Sequence, residues 1–239
     1  MKRSFRLALL VLVTAQFGCG PKLADVLKKY EGDFRTRRVK LQEIARSLPP
    51  KGSLIGEQPC QSLDPPLLFD EPGRRFNTEI LMFDQLEDPD AKPAFDLLFS
   101  GVLRHALIWT GPKPKDSLSP STRGIDIEKQ LKDALACRYL VVNRVANLVE
   151  PIAVDEQRYS PGRAKIELFV VDLPGKAVLC SFVFEATSAE KVAYTYYKNT
   201  DSKEDRLARF ARSSLWQDAR LKMLAGLKRL SNGEIKAQP

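Results

Sequence analysis

The segment Lys165–Asp172, KIELFVVD, constrains this chain more than any other. A strand sends successive side chains to opposite faces. Here both sets are apolar: Ile166, Leu168 and Val170 on one side, Phe169 and Val171 on the other. Such a strand belongs in the middle of a sheet that is covered twice. Leu173-Pro174-Gly175 supplies a turn, and Ala177–Ala186 (AVLCSFVFEA) reads as the hairpin mate. Tyr139–Val149 (YLVVNRVANLV) is a further valine-rich strand. Thr78–Leu86 (TEILMFDQL) is a shorter apolar one, and Leu107–Trp109 can begin another.

Helices must then cover this sheet. Residues 93–108 place Phe95, Leu98, Phe99, Val102, Leu103 and Leu107 at helical spacing, and residues 125–137 do so with Ile125, Ile127, Leu131 and Leu135. Near the C-terminus Leu207 and Phe210 open a stripe that continues through Trp216, Ala219, Met223, Leu227 and Leu230, as one bent helix or two consecutive ones. Ser202 and Asp205 have the spacing of a capping box at its start. The fold class expected is α/β or α+β, a mixed β-sheet flanked by helices, preceded by a long N-terminal helix and a Pro-rich linker.

The long helix covers residues 22–48. Leu23, Leu27, Tyr30, Phe34, Arg37, Leu41, Ile44 and Leu48 follow alternating steps of four and three, a coiled-coil-like stripe broken only by Arg37. The stripe has two outlets. It packs on the main domain, or it forms a stalk that pairs with a partner, a second copy included, or lies on a membrane through its basic flanks. Pro49-Pro50 ends it. Residues 49–75 hold prolines at 49, 50, 59, 65, 66 and 72 and show no period. They read as an extended linker reaching roughly 80 Å at about 3.1 Å per residue, or else as a wrap across the domain tied down by Leu67, Leu68 and Phe69. The boundaries so drawn are 1–18, 19–48, 49–75 and 76–235.

Residues 1–18 read as a secretion signal. Lys2, Arg3 and Arg6 precede an apolar run from Leu7 to Ala15, too short to span a bilayer, which needs about 20 residues. Val13-Thr14-Ala15 fits ordinary signal cleavage. Gly18-Cys19 resembles a bacterial lipobox, with Gln16 where leucine is usual, and makes Cys19 the expected lipidation site. By the same resemblance Gly20, in place of an aspartate, points to the outer rather than the inner membrane. The 38 Lys and Arg against 30 Asp and Glu give a net charge of +8. Removing residues 1–18 takes three basic residues away and leaves +5, a modest excess that calls for no nucleic-acid partner.

Enzyme chemistry is narrowly bounded. His105 is the one histidine, so a zinc site built on two histidines is excluded and a His-containing triad has a single candidate base. Phosphate-loop, dinucleotide-binding and nucleophile-elbow glycine patterns are absent from the sequence. If Cys19 carries lipid, Cys60, Cys137 and Cys180 allow at most one disulfide. Three pairings are open, as is the reading that Cys137 and Cys180 are both small core residues.

Between Leu131 and Glu185 a resemblance emerges. Ala134-Leu135-Ala136 runs into Tyr139-Leu140-Val141-Val142-Asn143-Arg144-Val145, and a hairpin turns at Val171-Asp172-Leu173-Pro174-Gly175-Lys176-Ala177-Val178. With the opening strand Ile80-Leu81-Met82-Phe83-Asp84, this resembles an envelope fold shared by the curli-secretion lipoprotein, the penicillin-binding-protein activator lipoproteins and the N-terminal domain of the TolB protein. The likeness spans about residues 76–235. Asn143 stands where that family usually has glycine. The resemblance implies a periplasm-facing binding module that docks on a larger envelope assembly, without catalytic residues or a cofactor.

Four candidate sites follow. Tyr194, Tyr196 and Tyr197 with Lys191 and Lys198 form an aromatic-basic patch suited to protein or glycan contact. Ser188-Ala189-Glu190-Lys191 has the S-x-x-K spacing of a serine nucleophile but lacks its companion motifs. Asp84, Glu87, Asp88 and Asp90 read better as acids at a helix start than as cation ligands. His105 sits beside Arg104 with no acid placed to orient it. The functional expectation is an exported lipoprotein that binds an envelope protein or peptidoglycan as an accessory factor. A secretion-channel or self-assembling role, and a cell-wall enzyme, are the alternatives.

Overall fold

The computed structural model describes residues 21–60, 63–69, 76–92, 101–112, 124–155, 158–191 and 203–231. The elements run α1 (Leu23–Ser47), β1 (Thr78–Met82), α2 (Phe83–Glu87), α3 (Val102–Trp109), α4 (Gly124–Ala136), β2 (Tyr139–Val149), β3 (Ile152–Ala153), β4 (Tyr159–Ser160), β5 (Arg163–Asp172), β6 (Ala177–Thr187) and α5 (Lys203–Leu230). The main sheet has the order β1-β2-β5-β6. β1 runs parallel to β2, and the other pairs are antiparallel. This is the mixed α/β architecture with a flanked sheet.

β5 lies inside the sheet, and the two apolar sets of its side chains separate two cores. Phe169 and Val171 join Leu81, Leu140 and Val142 under α1, α3 and α4. Ile166, Leu168 and Val170 join Ile80, Val141 and Phe182 under α5, which contributes Leu215, Ala219, Met223 and Leu227. α5 is one continuous helix. Its Ser213-Ser214 step does not break it, because Ser214 Oγ donates back to the Ala211 carbonyl at 2.9 Å. Ser202, half of the expected capping box, lies outside the described residues.

The coiled-coil-like stripe is consumed within the chain. Val26, Tyr30, Phe34, Leu41 and Ile44 are buried in the first core. Arg37, the one polar member, donates to the Leu135 carbonyl at the end of α4 at 2.7 Å. Packing on the main domain, the first of the two outlets, is what forms.

In its described residues, 49–60 and 63–69, the proline-rich stretch is a strap and not a spacer. Leu63, Leu67 and Phe69 are buried in the second core. Gln58 pairs with Ser181 on β6 through two backbone hydrogen bonds, and Cys60 is disulfide-bonded to Cys180. Asn77 Oδ1 accepts from the Leu68 N–H at 2.8 Å. Its Nδ2 donates to the Pro66 carbonyl at 3.0 Å. Proline lacks a donor, yet its carbonyls and the apolar residues between suffice to fasten the segment. The extended reach of roughly 80 Å is therefore corrected to a wrap across the domain.

Two local expectations also change. The first strand stops at Met82, not Leu86, because the Gln85 side chain accepts the Met82 N–H at 2.9 Å and opens the short α2. Leu107–Trp109 is helical, since Leu103, Ala106 and Leu107 are all buried on one face of α3. Of the expected helix 93–108, residues 93–100 lie outside the described residues.

Candidate functional site

β1 is much shorter than β2. Its last residue, Met82, stands opposite Asn143. From Arg144 to Val149, β2 has β5 on one side and, among the described residues, no strand on the other. A cleft of about 630 Å³ opens there. Leu48, Pro49, Pro50 and Lys51 form one wall, Met82, Phe83 and Asp84 close the end, and Asn143 to Leu148 line the strand side. A register shift between Val145 and Asn147 marks a β-bulge in this stretch of β2, a device that re-aims side chains at sheet edges.

Arg144 organises the cleft. Its Nε donates to Glu167 Oε2 at 2.8 Å, and both side chains are almost wholly buried. Its other nitrogens donate to the carbonyls of Pro49 at 2.6 Å and Pro50 at 3.2 Å. The guanidinium lies 5.4 Å from the Phe83 ring centroid and 5.1 Å from that of Phe169, within cation–π range. Glu167 Oε1 accepts from the N–H groups of Gly52, at 3.0 Å, and Leu54, at 3.2 Å. The charge of each partner is thus neutralised and its hydrogen-bonding capacity used, the condition for burying ions. The pair joins the turn after α1 to the centre of the sheet and fixes the cleft wall.

Asn143 is the exception. It is fully buried, and neither Nδ2 nor Oδ1 has a hydrogen-bond partner. Leaving such a group unsatisfied costs about 1–3 kcal/mol. The cleft beside the free strand edge, with this unsatisfied amide at its border, is the candidate binding surface best supported by the geometry. Val149 at the end of β2, with Ile152 and Val154 just after it in the chain, are exposed apolar side chains, 52%, 64% and 64% accessible.

No known family model matches the chain, and no curated protein is similar enough to it to count as a relative.

The residues singled out from sequence fall elsewhere. Cys19, Tyr194, Tyr196, Tyr197 and Lys198 lie outside the described residues, and Lys191 is exposed at the end of the segment that follows β6. Ser188 is buried and serves as a clamp: its Oγ accepts the Gly162 N–H at 2.6 Å, while its own N–H donates to the Gly162 carbonyl at 3.0 Å. That hydroxyl is engaged in structure, on a segment that is not helical. His105 is on α3 with its ring stacked on Trp109 at 5.6 Å, and burial together with the neighbouring Arg104 lowers its pKa. Asp84 is in the first turn of α2, and Asp88 Oδ1 accepts the Asp90 N–H at 3.0 Å. Among the described residues no group of three or more His, Cys, Asp or Glu is placed to hold a metal ion.

The Cys60–Cys180 bridge selects one of the three open pairings, and Cys137 is the free thiol. Cys137 is buried between α4 and β2, with Sγ 3.5 Å from the Asn77 carbonyl and 3.4 Å from that of Tyr139. Burial pushes its pKa far up, with Glu79 adding to the rise, so the reactive thiolate is suppressed. The Arg144–Glu167 pair was not singled out from the sequence, and Asn143 was noted only as a departure from the resembled family's glycine. The available signal was Arg144 following the run Tyr139–Val142 in β2 and Glu167 between Ile166 and Leu168 in β5.

Proposed function

We propose that this protein is an exported lipoprotein, anchored through Cys19 to the outer membrane, whose α/β domain binds another envelope protein or cell-wall material as an accessory factor. The observation that carries the reading is the Cys60–Cys180 disulfide, because structural disulfides belong to oxidising compartments outside the cytosol. The signal-like residues 1–18 and the resemblance of residues 76–235 to envelope lipoproteins support the same reading. No helix among the described residues is long and apolar enough to cross a membrane. Partner binding falls to the cleft beside β2, where an extended segment can add to a free strand edge, a recurrent mode of peptide recognition.

The test is photo-crosslinking in living cells from a benzoylphenylalanine placed at Asn147, an exposed position on the cleft, alongside mass analysis of the mature N-terminus. An acylated Cys19 and an adduct with a wall synthase or a secretion component are expected. Asn143→Val should weaken that adduct while leaving the fold intact. An adduct only with a second copy of the chain would move the function to self-assembly. No adduct at all, with the protein folded and exported, would overturn partner binding at this cleft.

A further inference from the structure

We infer that the N-terminal end shared by α1 and α4 is a membrane-apposed surface, pressed against the phospholipid bilayer by an anchor that has no slack. The inference rests on lipidation of Cys19. Its own content comes from the way the first described residues are packed. α1 begins at Leu23, and its first turn is closed by the N–H groups of Asp25 and Val26 donating to the Lys22 carbonyl at 3.0 and 3.1 Å. Pro21 is already seated on the domain: a β-carbon at Gly124, the first residue of α4, would collide with the Pro21 carbonyl. Further along, Lys29 bonds Glu128 at 2.8 Å and Arg37 bonds the Leu135 carbonyl, so α1 and α4 run side by side in the same direction. The fixed end of the domain therefore starts at Pro21.

Only Gly20 separates Pro21 from Cys19. Two residue steps of extended chain cover at most about 7 Å. The headgroup layer on each side of a bilayer is about 5–7 Å thick. A cysteine held at the lipid surface by its acyl chains thus keeps Pro21 at or within that layer, and no stalk or linker lifts the domain off. The side chains exposed there fit the position. Ile125 is 59% accessible, and Lys129 shares its helix face, with Lys22 beside Pro21. An apolar side chain flanked by lysines that can extend to the headgroups is suited to a lipid interface. Asp25 and Asp126 share this end, so the anchor and Ile125 hold the contact rather than a net charge. The 25 residues of α1 span about 37 Å, which places the cleft beyond Leu48 at the far end of the helix, open toward a partner.

The experiment uses the full acylated protein added to preformed vesicles of phosphatidylethanolamine and phosphatidylglycerol, and the same protein in detergent. A membrane-impermeant amine reagent reports the rate of modification at each lysine by mass spectrometry. Lys22 and Lys129 should react at least fivefold more slowly on vesicles, while Lys51 at the cleft should react at the same rate in both. Inserting a twenty-residue Gly/Ser spacer between Gly20 and Pro21, with a root-mean-square span of about 25 Å, should restore the detergent rates. Equal rates at Lys22 and Lys129 on the acylated protein, or protection that the spacer does not relieve, would overturn the inference. A mature chain without acyl groups on Cys19 would be visible in the mass of the N-terminus. That result would remove the lipidation reading and this inference together, and is distinct from failure of the apposition alone.

Discussion

Arg144 and Glu167 face each other directly across β2 and β5, with Arg144 Nε 2.8 Å from Glu167 Oε2 and both charged side chains almost wholly buried. Removing one partner of a buried pair leaves the other charge uncompensated and costs about 3–5 kcal/mol. Glu167→Gln should lower unfolding stability by that amount in denaturant titration. The double replacement Arg144→Met with Glu167→Leu should recover most of the loss, since apolar substitutes of similar volume are often neutral or better. It should also free the Pro49–Leu54 turn, which would appear as faster amide exchange at Gly52 and Leu54.

Gly226 allows α5 to lie close against the sheet. A β-carbon there would enter the ring of Phe182, which is itself 1% accessible. Alanine is a better helix former than glycine by about 1 kcal/mol, so propensity alone predicts that Gly226→Ala stabilises. The collision predicts the reverse, a loss of about 1–3 kcal/mol from overpacking. Thermal unfolding of Gly226→Ala, and of Gly226→Ala combined with Phe182→Leu, decides between them: the second variant should regain stability relative to the first.

Glu128 receives hydrogen bonds from Lys29, Lys132 and Tyr30, and these lower its pKa from 4.5 to about 2. A carboxylate whose pKa falls on folding contributes stability that is complete above its unfolded value and disappears as pH drops through the folded one. The contribution of the Glu128 ion pairs to the α1–α4 contact should therefore be lost between about pH 4.5 and pH 2. The Glu128→Gln variant should show a flatter pH dependence than the parent over that window. Salt should shrink the difference, because the lysines involved are exposed.

The disulfide closes a separation of 120 residues. Loop-entropy accounting gives about 4–5 kcal/mol for a closure of that size, and removal of such bridges typically costs about 2–5 kcal/mol. Cys60→Ser with Cys180→Ser should lose stability in that range and expose the strap to proteolysis near Gln58. Cys137→Ser should leave the bridge in place. Cys137 itself should resist alkylation in the folded protein and react only at the rate of unfolding, as followed by the mass added at that residue.

The centre of the sheet was legible because the C-terminal half of β5, Leu168 to Val171, is apolar on both faces. The ends of β2 and β5 agree with the sequence reading to within two residues for the same reason: Tyr139 and Asp172 begin and end a run of core side chains. The destination of α1 was not legible. A stripe of Leu23, Tyr30, Phe34 and Ile44 has the same spacing whether it meets a second helix or its own sheet, and only the tertiary structure distinguishes them. The strap was hard to read because Leu63, Leu67 and Phe69 have neither helical nor strand period, and Ser181, which pairs with Gln58, lies far along the chain. At the β5–β6 turn the left-handed residue is Lys176, with φ of 56°, and not the neighbouring glycine. Gly175 instead donates its N–H to Asp172 Oδ2 at 2.9 Å. In the cleft, what pairs Arg144 with Glu167 is the register of β2 on β5, which no local pattern encodes.

The bridge from Cys60 to Cys180 skips over Cys137 in the sequence. If the chain is exported as proposed, threading from its N-terminus delivers these thiols one at a time, and Cys60 meets Cys137 before Cys180 has arrived. An oxidant acting on neighbours in order of emergence would join the wrong two. The mature pairing is reached only when Cys137 is withdrawn beneath α4 and β6 has come to lie beside the strap. By the proposed export route, maturation thus depends on tertiary structure preceding oxidation, or on an isomerase that undoes the first bond.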